Sequence, residues 1–231
     1  MDAGRPAYTA AVFDLDGLLL DSERPVRDAW MQVASALGVP LTAAAYLDLI
    51  GRNHRDNAQR LRENFGDGAL LADAHRLVGT QLAERFGAHP FDVKPGARRL
   101  LQGLHDARIP CAVASSTARA EVERRLARSG LIDFFTAVCG GDEVARGKPE
   151  PDIYRLAAQR LQVPATNALA FEDSGPGALA ALAAGLGVVV VPDLKPPEPA
   201  WQARSVAVLA TLDAACAHSR EWFGFDCAPA R

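Results

Sequence analysis

Residues 10–23, AAVFDLDGLLLDSE, decide the fold. Ala10 to Phe13 is an apolar run of strand length that stops at Asp14-Leu15-Asp16-Gly17, the pattern of a short buried strand with acids at its carboxyl end. From Ser22 the period changes. Val26, Trp30, Val33 and Leu37 recur on one helical face, and Gly38 with Pro40 supplies a stop. Helical stretches over Ala43 to Ile50, Asp56 to Phe65 and Ala69 to Phe86 follow with no strand-like run among them, so residues 22–91 read as all helical. Beyond Pro95-Gly96, strands at Pro110 to Ala114, Ala137 to Cys139, Ala168 to Phe171 and Val188 to Val191 alternate with helices near Ala97 to Leu104, Ala118 to Arg128, Asp152 to Leu161 and Gly177 to Ala184. Short buried strands separated by helices predict an α/β fold with a parallel, doubly wound sheet. The helical block interrupts that alternation and is expected as an insertion into the sheet domain.

The chain has 231 residues, 49% hydrophobic and 23% charged, with a formal net charge of -3. That is long enough for a full core and sets aside disorder, collagen and coiled coil. With no block of like charge, a nucleic-acid or membrane-surface role gets no support. The longest apolar run, Ala178 to Val191, is interrupted by Gly185 and Gly187 and is too short to span a bilayer. The start, MDAGRPAYTA, carries an early acid and lacks the basic and apolar segments of a signal peptide. Cys111, Cys139, Cys216 and Cys227 show no metal or disulfide spacing, which predicts buried thiols in a cytoplasmic protein.

In an open parallel sheet, ligands bind beyond the carboxyl ends of the strands. After the first strand come Asp14, Asp16 and Gly17; after the second, Ser115, Ser116 and Thr117; after the fourth, Glu172, Asp173 and Ser174; and Lys148 opens a helix. Four carboxylates, a hydroxyl and an ammonium at one edge call for a cation, and all-oxygen ligation suits Mg²⁺ with a substrate phosphate. Asp14 is the candidate nucleophile, through an aspartyl-phosphate. A turn eased by Gly17 would bring Asp16 round as general acid and then base. Ser115 would donate to a phosphoryl oxygen, with Ser116 beside it, and Lys148 would offset phosphoryl charge.

FDLDGLLLDSE at 13–23, VASST at 113–117, GKPEPDIY at 147–154 and FEDSGPG at 171–177 resemble the four ordered motifs of the haloacid dehalogenase-like hydrolase superfamily. The branch they look most like has a helical cap inserted after the first motif and includes phosphatases, among them pseudouridine 5'-phosphatase, and β-phosphoglucomutase. The resemblance implies a Rossmann-like core at residues 1–21 and 92–231 and a helical cap at 22–91. It implies Asp14 as nucleophile and metal ligand, Asp16 as acid/base and ligand through its carbonyl, Asp173 as ligand with Glu172 assisting, and Ser115 and Lys148 on the phosphoryl group. GRNHRDN at 51–57 is similar to the cap loop over the substrate, so Arg52, Asn53, His54 and Arg55, with Glu23, are candidates for recognising the leaving group.

Dehalogenases of the superfamily lack an acid at the position of Asp16, and phosphonate-cleaving members need a cap lysine, which residues 22–91 lack. The mutase has a histidine early in the first cap helix where this sequence has Val26, favouring a phosphatase with β-phosphoglucomutase-like chemistry as the alternative. A phosphate sensor without turnover has no need of the Asp14 and Asp16 pair. An EF-hand fails because Leu18, Leu19 and Leu20 stand where oxygen ligands are needed, and GGDEV at 140–144 has no companion that supports nucleotide cyclisation. His75, His89, His105 and His218 read as surface residues. The expected protein is a Mg²⁺-dependent phosphatase of a small phosphorylated metabolite such as a sugar phosphate or nucleotide, a monomer or weak homodimer, without nucleic-acid or membrane partners.

Overall fold

Six short strands carry the core: β1 (Ala10–Phe13), β2 (Cys111–Ala114), β3 (Ala137–Cys139), β4 (Ala168–Glu172), β5 (Gly187–Val190) and β6 (Ala207–Val208). They form one sheet in the order β3-β2-β1-β4-β5-β6, and every neighbouring pair is parallel. The structure, a computed structural model, describes residues 7–49, 54–66, 68–87, 90–196 and 199–227, with the side chains of 54–56, 58 and 200 outside that description.

All residues of β1, β2 and β4 are buried, as strands covered on both faces must be. Successive residues point to opposite faces, and two cores follow from that alternation. Ala11, Phe13, Leu169, Phe171 and Val189 pack against α5 (Ala97–Asp106) and α6 (Arg119–Ser129). Ala10, Val12, Ala170, Val188 and Val190 face α7 (Asp152–Arg160) and α8 (Gly175–Ala184). Between β1 and α5 come α1 (Glu23–Ala36), α2 (Ala43–Leu47), α3 (His54–Phe65) and α4 (Ala69–Phe86), with a separate apolar cluster that includes Trp30, Val33, Tyr46, Leu61, Phe65 and Val78. Short helices α9 (Pro199–Gln202), α10 (Leu212–Ala215) and α11 (Ser219–Phe223) complete the described chain.

The two crossings between helical block and sheet run side by side. Leu20 bridges Val93, the Asp21 amide donates to the Asp92 carbonyl at 2.8 Å, and the Lys94 amide donates to the Leu19 carbonyl at 2.9 Å. Asp193, just past β5, accepts Arg24 at 2.6 Å and Lys94 at 2.7 Å on the same oxygen, tying both crossings to the sheet.

The parallel sheet and the helical block agree with the sequence-based expectation. β6 was not anticipated, because two residues carry no period, and α3 starts at His54 rather than Asp56. β1 lies between β2 and β4, and the chain order reverses there. A crevice therefore opens at its carboxyl end.

Phe13 and Phe171 are register partners and stack at 4.7 Å, and Trp222 meets Phe171 edge-on at 6.1 Å. Phe171→Ala should lower unfolding free energy by about 3–5 kcal/mol, read from urea denaturation. A loss under about 1 kcal/mol would show that this stack is not central to the core.

Candidate active site

The β1 ladder continues one residue past the strand, where the Asp14 amide donates to the Phe171 carbonyl at 3.0 Å. This holds Asp14 at the middle of the carboxyl edge, 6% exposed. The backbone then turns sharply, with the amides of Leu19 and Leu20 both donating to the Leu15 carbonyl and Gly17 at φ +89°. A Cβ on Gly17 would stand 2.3 Å from Asp173 Oδ2, so only glycine allows the turn to approach the acid at the end of β4.

Lys148 is the hub of the buried layer. Its ammonium is 2% exposed and donates to Asp14 Oδ1 at 2.5 Å and to Glu172 Oε1 at 2.6 Å. Glu172 Oε1 also accepts the Tyr154 hydroxyl at 2.6 Å, while Oε2 accepts the amides of Asp173 and Ser174 and the Ser174 hydroxyl, each at 3.0 Å. Five donors exceed the roughly four lone-pair positions of a carboxylate. A Cβ on Gly177 would overlap the Glu172 carboxylate, so α8 closes the remaining side. Glu172, expected to assist at the metal directly or through water, anchors Lys148 and the start of α8.

Asp16 points elsewhere. Its Oδ1 accepts Ser22 Oγ at 2.7 Å and Arg125 at 2.5 Å; its Oδ2 accepts Thr117 Oγ1 at 2.9 Å and lies 3.5 Å from Ser115 Oγ. Ser115 Oγ in turn accepts the Thr117 amide at 3.1 Å. Ser116 Oγ is buried in the cavity wall with no hydrogen-bond partner among the described residues, a donor available to an anionic ligand.

These environments split the acids. Burial raises Asp14 to about 7, helped by Glu172 and Asp16 and opposed by Lys148. Asp173 lies well above the usual carboxylate range because of burial and the charges of Glu172, Asp14 and Glu23. Burial likewise raises Glu23 to about 8, with Asp16 and Asp14 adding to it. Asp16 goes the other way: burial would raise it, but Arg125 and the Ser22 and Thr117 hydroxyls outweigh burial.

Among the described residues no group of three or more His, Cys, Asp and Glu side chains is placed to hold a metal; Asp14, Asp16, Glu172 and Asp173 share the carboxyl edge, with Asp16 and Glu172 engaged by other donors. The donor set that remains is Asp14 and Asp173, two buried carboxylates that repel each other beside the Gly17 turn. One or two carboxylates completed by water and phosphate oxygens are what Mg²⁺ takes, so the residues present fit that ion.

A cavity of about 1290 Å³ opens over this edge. Asp14, Asp16, Glu23, Ser115, Ser116 and Asp173 line its floor and sides, and Trp30, Tyr46, Leu61, His75, Val78 and Leu82 line its far wall. Of the expected leaving-group residues, Glu23 is here, Arg52 and Asn53 lie outside the described residues, and only the backbone of His54 and Arg55 is described. His75, expected at the surface, is half-buried against Trp30 at 5.0 Å, which its place beside Ala74 and Val78 on α4 could have signalled. Arg125 was missed as well. Its signal is a cation three residues after buried Val122 and one before buried Leu126.

Residues 8–185 match the model of the haloacid dehalogenase-like hydrolase family. The chain is 33% identical over 177 residues to a phosphorylated carbohydrates phosphatase of Thermotoga maritima, covering 77% of this chain and 82% of that one. It is 32% identical over 180 residues to the validoxylamine A 7'-phosphate phosphatase of Streptomyces hygroscopicus, covering 78% and 83%. Its fold matches the crystal structure of a CbbY mutant from Rhodobacter sphaeroides in complex with xylulose-(1,5)bisphosphate at a TM-score of 0.75 and 32% identity, over 89% of this chain and 95% of that one. With its ordered motifs gathered at one sheet edge, the chain belongs to the haloacid dehalogenase-like hydrolase family and is a phosphoric monoester hydrolase.

Proposed function

We propose that the protein hydrolyses a small phosphate monoester, a sugar phosphate or nucleotide-like metabolite, with Mg²⁺ and through an aspartyl-phosphate on Asp14. The observation that carries this is the contrast between two aspartates two residues apart: Asp14 sits on the Lys148 ammonium, and Asp16 sits in its own cradle of donors. One carboxylate is placed to attack and the other to move protons.

Asp14 Oδ1 is fixed by Lys148, which leaves Oδ2 to attack phosphorus in line with the ester oxygen. Lys148, Ser115 and Ser116 offset charge on the phosphoryl oxygens. Asp16 protonates the departing alkoxide and then removes a proton from the water that opens the acyl phosphate on Asp14. Ser115 orients the turn through the Thr117 amide and stands beside Asp16. Asp14, Asp173 and the Asp16 carbonyl would hold Mg²⁺, which when bound neutralises phosphate charge and lets the anion approach the carboxylates.

Helices α1 to α4 act as the cap over the cavity, with the block bounded near residues 22 and 91. Glu23, with Arg52, Asn53, His54 and Arg55, recognises the leaving group. A polar floor with an apolar far wall suits an alcohol that carries several hydroxyls on a carbon or ring body. The relatives named for phosphorylated carbohydrates and for validoxylamine A 7'-phosphate, and the bisphosphate bound to the CbbY mutant, support that class. Val26 lines the cavity near the catalytic edge and has no proton to give a bound sugar, which favours hydrolysis over phosphoryl return. The proposed assembly is a monomer or weak homodimer. Four free cysteines suit the cytoplasm, and among the described residues no helix is long and apolar enough to cross a membrane.

Phosphate release from a panel of sugar phosphates and nucleoside monophosphates, with Mg²⁺ and with EDTA, tests the proposal. Wild type should release phosphate only with metal, and Asp14→Asn should fall at least about 10³-fold with an unchanged circular dichroism spectrum. Substrate isomerised without phosphate accumulating would instead support the phosphomutase. Asp16→Asn should lose about 10²–10⁴-fold in kcat with little change in KM. Full activity in either variant would overturn the mechanism.

A further inference from the structure

Arg125 lies outside all four motifs, 109 positions from Asp16 in the chain, yet its NH1 donates to Asp16 Oδ1 at 2.5 Å. Three contacts fix the guanidinium. Its Nε donates to Glu121 Oε1 at 2.7 Å, its face lies 5.3 Å from the Phe91 ring centroid, and its NH1 meets Asp16. Glu121 is itself held by Arg124 through two 2.7 Å hydrogen bonds. The Arg125 side chain is 18% exposed, and its neighbours Val122 and Leu126 on α6 are fully buried. A planar guanidinium ordered in advance by a carboxylate and a ring loses little further freedom when it meets a second carboxylate.

The Asp16 cradle draws on both parts of the molecule. Ser22 immediately precedes α1, whereas Thr117 and Arg125 belong to the sheet side. Oδ1 takes both Ser22 and Arg125, and Oδ2 has Thr117 as its one close donor. Oδ2 is therefore the oxygen with room for the proton that passes to the alkoxide and later comes from water. Without Arg125, Ser22 and Thr117 would still hydrogen-bond the carboxylate, but Oδ1 would lose its one charged donor, the NH1 of a guanidinium that Glu121 holds in place through Nε.

We infer that Arg125 is a positioning residue for the acid/base aspartate: it fixes the plane and rotamer of the Asp16 carboxylate, and so serves the two proton transfers of Asp16 and not the attack by Asp14. The inference rests on the proposed phosphatase mechanism. Its mark is a defect in turnover that depends on Asp16.

The test uses the full chain with Mg²⁺ as wild type, Arg125→Ala, Arg125→Lys, Asp14→Asn, Asp16→Asn and the Asp16→Asn/Arg125→Ala double variant. Each is assayed on the best sugar phosphate of the panel and on p-nitrophenyl phosphate, whose leaving group departs without protonation. Arg125→Ala should lower kcat on the sugar phosphate by about 10–100-fold, the scale of a misplaced catalytic group, with KM within about threefold. Arg125→Lys, which keeps the charge and the stem over Phe91 but loses the fork, should recover part of that loss. In the first turnover of p-nitrophenyl phosphate, Arg125→Ala should form nitrophenolate near the wild-type rate. In the Asp16→Asn background, Arg125→Ala should add less than about threefold. If Arg125→Ala does not fold, Arg125→Lys alone and in the Asp16→Asn background carries the same comparisons.

Three results would each overturn the assignment of Arg125 while leaving the phosphatase intact: wild-type kcat in the Arg125 variants, a rise in KM at unchanged kcat, or a double variant impaired by the product of the single effects. Phosphate release that survives Asp14→Asn, or none from wild type, would overturn the underlying mechanism and this inference with it.

Discussion

Lys148 is buried and shared between Asp14 and Glu172 at 2.5 and 2.6 Å, and an ammonium is tolerated there only because both partners are charged and close. Burial works against its charge, and the two carboxylates outweigh burial. The same arrangement fixes its neighbours. Glu172 is locked by the first turn of α8 and by Tyr154 from α7, so the ammonium is located by two helices and the end of β4 before any ligand arrives. Asp14 then meets a cation already in place, which is the condition for electrostatic catalysis without reorganisation.

Two aspartates separated by one leucine end in opposite environments because the strand stops between them. Asp14 still belongs to the β1 ladder, with its amide on Phe171, whereas Asp16 begins a turn that glycine alone permits beside Asp173. An extended continuation would have sent the two carboxylates toward a common face at a spacing of two. The turn instead gives one the Lys148 layer and the other the Ser22, Thr117 and Arg125 cradle. Their titration is pushed apart accordingly, with Asp14 raised and Asp16 lowered.

What could be read from the sequence follows from how local its cause is. β1, β2 and β4 are legible as four- or five-residue apolar runs because parallel strands buried on both faces carry no polar alternation. The acids and hydroxyls at their carboxyl ends are legible because the topology brings those ends together. The direction of a side chain there is not. Glu172 occupies the position a ligand would, but its aim is decided by Gly177, Ser174, Tyr154 and Lys148, groups that meet only once α7 and α8 have packed. Arg125 reaches Asp16 from a separate helix, and no local period reports such a pairing. Its one trace is a charge on the buried stripe of α6, a conflict between pattern and residue type of the kind that marks functional positions.

The helical block meets the sheet side through both apolar and polar contacts: Phe86 of α4 packs against the sheet core, 4.5 Å from Phe91, while Asp193 takes up the charges. Most of its other apolar residues form a separate cluster, with Leu194 among the partly buried residues packed against it. Between the crossings, the Asp193 carboxylate is nearly buried and takes Arg24 from α1 and Lys94 from the return strand on one oxygen. Its other oxygen has no hydrogen-bond partner among the described residues. Apolar contact scales with area and resists sliding apart, whereas an ion pair constrains a point and permits rotation about it. The block is held at Asp193, at the paired backbone of Leu20 and Val93, at Phe86 and through Arg128 on the Gly87 carbonyl, and Ser22, just before α1, reaches Asp16 from its side. Of the two aspartates, Asp16 therefore draws its donors from both sides of the crossings, whereas Asp14 is held by Lys148 within the sheet layer.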